Sequence, residues 1–127
     1  MALCVLIAGA VALHLTGPEV RLEWTHSVEK IRWREVWAET TTGLTLRRAA
    51  VKGSGAGMEP GDTAILTDGW WEWSPALRVP ALHLAASGST VSGWDFCDLT
   101  GCHQLGATAS APLTLAPCAA TGSGQSP

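Results

Sequence analysis

Tyrosine is absent from the 127-residue chain, phenylalanine occurs once, and charged residues make up 15%, against the roughly 25% of an average globular protein. Eight Lys and Arg face eleven Asp and Glu, a formal net charge of −3. So sparse a cation set argues against a surface that holds nucleic acid by neutralising phosphates. Long hydrophobic runs are missing too. The longest, Ala2 to Leu15, falls short of the roughly 20 residues a membrane-spanning helix needs. What the chain does have is fourteen Gly, seven Pro and seven Trp. Turns are therefore frequent, and tryptophan supplies the bulk that a core would otherwise take from Phe and Tyr.

The run from Ala2 to Leu15 suits two short buried strands, CVLIA and AVALHL, turning near Gly9. A signal peptide cut at Ala10-Val11-Ala12 is the alternative, but no Lys or Arg precedes the run. With neither a convincing signal peptide nor a transmembrane helix, a cytoplasmic location is favoured over a periplasmic one. Residues 1–105 are expected to form a single all-β domain. Residues 106–127, rich in Ala, Thr, Ser, Gly and Pro, read as a low-complexity, largely disordered tail in which Leu113 and Leu115 dock as a short edge segment.

Period-two alternation runs through Val20–Thr25, and turn signals recur at Thr41-Thr42-Gly43, Asp68-Gly69 and Ser87-Gly88-Ser89. Eight to ten short strands result, the pattern of an all-β antiparallel barrel or sandwich. A helix over Val28–Ala38, with Trp33 and Trp37 at i and i+4, ranks second because no capping signals frame it. In WDFCDLTGCHQL a hairpin sets Cys97 opposite Cys102, Phe96 opposite His103 and Trp94 opposite Leu105. Four cysteines (Cys4, Cys97, Cys102, Cys118) do not make a disulfide framework. Plain thiols, a Cys97–Cys102 disulfide and a His103-assisted zinc site rank in that order, the last matching zinc spacings poorly. No metal ligands and no cofactor are called for.

In WTHSVEKIRWREVW, placing Glu29-Lys30 at a hairpin tip pairs Val28 with Ile31, His26 with Trp33, Trp24 with Glu35 and Leu22 with Trp37. All eight then share one face, with His26 and Glu35 as its polar members. Arg32 and Arg34 fall on the other face, read as ordinary solvated surface. An imidazole and a carboxylate on a Trp-lined face must be paired. They either lock the register or line a ligand pocket, and the first of these is favoured. Between Lys52 and Asp62, four Gly lie within Gly53–Gly61. A phosphate-binding loop is excluded there because the Gly-Lys-Ser/Thr ending is absent and Pro60-Gly61 blocks the following helix. An anion-binding nest near Lys52 and a plain connection remain. Trp71 and Trp73 share a face, away from Trp70. Packing is the leading reading for these tryptophans, with a sugar-binding or cation cage behind it.

Trp24 to Lys30 with Trp33 and Glu35, then Lys52–Pro60, Asp68-Gly69-Trp70-Trp71 and the Trp94/Cys97/Cys102 hairpin together resemble a bacterial family described as domain of unknown function 1850. The resemblance runs through most of Leu3 to Leu105. It implies no catalytic residues, because the family has no defined activity. It does imply association with TAXI-type TRAP transporters, through the membrane subunit or the solute-binding protein, and so with small organic anions. The resulting expectation is a non-enzymatic accessory or small-anion-binding protein. Its ligand residues would be His26, Ser27, Glu29, Lys30, Trp33, Glu35, Gly55, Gly57, Met58 and Glu59. The alternatives are a structural interaction domain, or a small hydrolase or isomerase using His26 as general base oriented by Glu35, with Ser27 on the wrong face to act as nucleophile.

Overall fold

The computed structural model describes residues 3–25, 31–52, 64–85, 93–106 and 111–118. Among them are twelve strands: β1 (Leu3–Ile7), β2 (Ala10–Leu15), β3 (Glu19–Thr25), β4 (Arg32–Glu39), β5 (Leu44–Lys52), β6 (Ile65–Thr67), β7 (Trp70–Trp73), β8 (Leu77–Val79), β9 (Leu82–Leu84), β10 (Trp94–Asp98), β11 (Gly101–Leu105) and β12 (Leu113–Pro117). They form two antiparallel sheets, one ordered β2-β1-β12-β9, the other β11-β10-β3-β4-β5-β7-β6 with β8 also on β5. The arrangement is sandwich-like rather than a closed barrel, because β2 and β9, and β11 and β6, remain as edges.

Local chemistry accounts for many of these elements. The turn between β1 and β2 places Ala8 and Gly9 at φ 53° and 82°, and Asp68-Gly69 between β6 and β7 sits at 52° and 83°. Both are turns with two left-handed residues, which the right-handed twist of paired strands favours and which Gly and Asp tolerate. Gly43, by contrast, is needed for space: a Cβ there would lie 2.4 Å from the Val79 carbonyl oxygen of β8. Residues 32–39 are strand, not the second-ranked helix. Val20, Trp37 and Ala49 are buried at their places in a paired ladder, where a lone helix would leave most of them in water.

The core lies between the sheets. Leu3, Val5, Leu15, Leu113 and Leu115 from the smaller sheet meet Val20, Leu22, Trp37, Leu44, Leu46, Ala49 and Phe96 from the larger one. Leu113 and Leu115 are fully buried, and β12 lies between β1 and β9, so this segment is an interior strand rather than a docked edge. Weak periodicity and the flanking Ala, Ser and Thr hide it in the sequence. The ladder exists only because β1, more than a hundred residues away, supplies its partner (Val5 opposite Leu115).

All four cysteines are paired, Cys97 with Cys102 and Cys4 with Cys118. Plain thiols, the leading reading, are thus replaced by disulfides. The first pair is the cross-strand one that the hairpin register allows. The second joins the two ends of the chain and has no local sequence signature.

If β12 is a core strand, Leu115→Ala should cost about 2–5 kcal/mol through lost burial and the cavity left behind. Urea denaturation measures this, and a loss below about 0.5 kcal/mol, the level of ordinary surface substitutions, would remove β12 from the core.

Candidate functional site

The β3–β4 ribbon carries the residues singled out above, in a register two residues from the one expected. Trp24 pairs with Trp33, Leu22 with Glu35 and Val20 with Trp37. Glu-Lys is a poor two-residue turn, and the strands end at Thr25 and resume at Arg32, leaving a longer connection. A shift of two preserves the face, because side chains alternate with period two. Trp24, Trp33, Glu35 and Trp37 therefore still share the core side. Trp24 and Trp33 stack with centroids 5.9 Å apart and planes 8° from parallel, and Trp94 leans on Trp24 at 5.1 Å. The Trp33 indole N–H is buried and has no partner among the described residues.

Glu35 accepts a hydrogen bond from the indole Nε1–H of Trp37 at 2.9 Å. Burial pushes its carboxyl above the ordinary value, and the Trp37 bond offsets this only in part. Its expected partner His26 lies outside the described residues, as do Ser27, Glu29, Lys30, Gly55, Gly57, Met58 and Glu59. The ends of those segments are described. Thr25 and Arg32 pair at one end of the ladder, and Trp33 opposite Val51 puts Lys52 at that same end. Thr25, Arg32 and Lys52, where the 26–30 connection and the start of the 53–63 connection are anchored, therefore share one end of the large sheet, beside the Trp24–Trp33–Trp94 cluster. The 53–63 connection re-enters at β6, whose Ile65 is level with Ala50 instead.

The other face of that sheet holds a cluster that sequence reading passed over. Arg21, Val36 and Arg48 form one cross-strand row; Asp95, Glu23, Arg34, Ala50 and Glu72 form the next. Arg21 pairs with Glu23, and Arg32 bridges Glu23 and Asp95. Arg34 reaches Glu72 at 3.6 Å and lies over the Trp70 ring, 4.2 Å from its centroid. Lys52 approaches the same ring at 5.3 Å. Arg48 has no ionic partner among the described residues. Arg21, Arg34, Arg48 and Glu72 surround a shallow cavity of about 160 Å³ floored by Val36, Ala49 and Ala50. Trp33 and Glu35 face away from it. Arg32 and Arg34, expected as plain solvated surface, belong to this network; the signal was the row of guanidiniums, which appears only once β5 is in register.

The remaining histidines have structural partners. His83 Nδ1 lies 3.2 Å from the Thr114 hydroxyl. His103 Nε2 lies 3.1 Å from Thr100 Oγ1 and 3.5 Å from Asp98. The Thr100 hydroxyl and the Thr16 amide, each donating to Asp98, hold that carboxyl well below the usual range. This network accounts for the position of His103. His14 Nδ1 sits 3.4 Å from Cys4 Sγ and 3.8 Å from Cys118 Sγ.

Between the ordinary carboxylate value and its raised folded value, Glu35 holds a proton in the folded chain that the unfolded chain has released. Stability should therefore fall as pH rises through that window. Glu35→Gln keeps an acceptor for Trp37 and removes the titration, so the urea-midpoint difference between mutant and wild type should grow in the mutant's favour from pH 4 to 8. A difference that stays flat with pH would show that Glu35 is not desolvated.

No curated protein and no solved structure matches the chain. A family model does, over residues 20–105, which takes in the Trp cluster, the arginine rows and the Cys97–Cys102 hairpin. On that match the chain belongs to the family described as domain of unknown function (DUF1850).

Proposed function

We propose that the protein is a non-enzymatic accessory module that binds a small organic anion and serves a TRAP-type (TAXI) transport system. The observation that carries the anion is the cavity between Arg21, Arg34 and Arg48, where Arg48 has no ionic partner among the described residues. Guanidinium forks match carboxylates bidentately, and they hold their charge at any physiological pH. The recess, about 160 Å³ and open to solvent, has room for the carboxylate groups of a small di- or tricarboxylate. Lys52 extends the cationic character toward the end of the sheet where the 53–63 connection begins. His26, Ser27, Glu29, Lys30, Gly55, Gly57, Met58 and Glu59 are proposed as further ligand residues from the sequence pattern; they lie outside the described residues. Trp33 and Glu35, on the opposite face, support the sheet. The transporter assignment rests on family membership.

Ile65 and Leu66, 68% and 54% exposed on the edge strand β6, favour a second reading as a protein-interaction domain. Catalysis by His26 and Glu35 is the third.

Calorimetric titration of the full chain with succinate and citrate at low salt tests the first reading. One anion per chain is expected, weakened at least tenfold in Arg48→Ala and in Arg34→Ala, since a charge-assisted hydrogen bond contributes about 1.5–3 kcal/mol. The transporter's membrane subunit should co-purify with the wild-type chain. Absence of binding at millimolar anion, or binding indifferent to both substitutions, would overturn the site. Co-purification abolished by Ile65→Lys, with no anion bound, would establish the interaction reading in its place.

A further inference from the structure

The smaller sheet carries a second cluster of reactive side chains. Cys4 and His14 are direct cross-strand partners on β1 and β2, on the face turned away from the core. Cys4 also pairs with Ala116 of β12, so Cys118, two residues further, returns to the same face and meets Cys4. The two sulfurs and the His14 Nδ1 lie within 4.8 Å of one another. Cys4 is fully buried, Cys118 half-buried and His14 exposed, so the cluster opens to solvent on the imidazole side.

We propose that the Cys4–Cys118 disulfide, once reduced, becomes a Cys2His site for a thiophilic d10 metal ion, with Zn(II) or Cu(I) as the candidates. Zinc–sulfur and zinc–nitrogen bonds of about 2.3 and 2.05 Å at a tetrahedral angle separate the two donors by about 3.6 Å. The sulfur–nitrogen separations in the disulfide form are already 3.4 and 3.8 Å. Only the two sulfurs must part, and cleavage of their bond permits that. An external dithiol supplies two electrons and two protons and leaves as its own disulfide; the two resulting thiols then give up their protons to the medium as the metal binds. Thiolate with imidazole is the donor set that suits zinc and Cu(I) over harder cations. Three protein donors satisfy trigonal Cu(I) and leave zinc a fourth position for solvent. The site lies on the smaller sheet, apart from the arginine rows of the larger one, and is independent of the anion reading.

The test uses the full-length chain, reduced with a phosphine under argon and freed of reductant. Co(II) is the spectroscopic probe, and Zn(II) and Cu(I) are titrated against chelators of known affinity. The reduced chain should bind one metal ion and show a thiolate-to-cobalt charge-transfer band. The oxidised chain should bind none. His14→Ala, at an exposed position, should weaken binding at least tenfold, and Cys118→Ser should remove the band. The double change Cys97→Ser/Cys102→Ser should leave both unchanged. The proposal fails if the reduced chain binds no stoichiometric metal, if affinity is indifferent to His14→Ala, or if binding disappears with Cys97 and Cys102 instead. Near-UV circular dichroism covers the folding question. A reduced chain that unfolds and is restored by metal supports the site; one that unfolds and ignores metal makes the disulfide purely structural and overturns it.

Discussion

The pairing of β3 with β4, and of β4 with β5, governs where the chain puts its bulk and its charge. Each of these strands feeds two environments at once. Leu22, Trp37 and Ala49 go inward to the core, while Arg21, Arg34 and Arg48 go outward to a common surface. Register couples the two sets rigidly, because a slip of one residue exchanges every side chain between faces. Burying three guanidiniums and exposing a tryptophan would be prohibitively unfavourable, so the hydrophobic core enforces the arginine rows. No interaction among the arginines is needed to assemble them.

Electrostatics then set the character of the outer face. The chain as a whole is acidic, yet the acids on these rows are already engaged: Glu23 by Arg21 and Arg32, Asp95 by Arg32, Glu72 by Arg34. Pairs of this kind, half-buried and still reached by solvent, contribute only modestly to stability. Their consequence is geometric, since they hold Arg34 against Trp70 and leave Arg48 beside a recess with no ionic partner among the described residues. Net charge therefore misleads about local potential here. On the inner face the opposite holds, where Glu35 sits among tryptophans and burial disfavours its ionised form.

The smaller sheet depends on contacts between the chain's extremes. β1 and β12 are adjacent, and the Cys4–Cys118 bond clasps them across a sequence separation of 114 residues. Closing so long a loop removes roughly 4–5 kcal/mol of unfolded-state freedom in the chain-entropy model. The Cys97–Cys102 bond closes a short hairpin and constrains the unfolded chain far less. The two disulfides thus have different consequences: one fastens a local turn, the other secures the sheet that covers the core.

Much of this was legible one segment at a time. Alternation in Val20–Thr25, the Asp68-Gly69 turn, the first hairpin at Gly9 and the Trp94 hairpin with its Cys97–Cys102 pairing are all local, governed by side-chain period and turn chemistry that neighbouring residues carry. Placing Glu35 on the aromatic face was local too, and it survived a two-residue error in register because parity was unchanged. The rest was decided by distant partners. β12 has too little pattern of its own to announce a strand until β1 and β9 flank it. The arginine cavity turns on a register shift in the β4–β5 ladder: Val36 faces Arg48 but Trp37 faces Leu46, so Arg47 is the extra residue. Strict alternation from Leu44 would have sent Arg48 into the core and Ala49 out to solvent. Packing against Trp37 and the opposite sheet selected the bulge that reverses them, a choice made by the assembled core and not by the order of residues along β5.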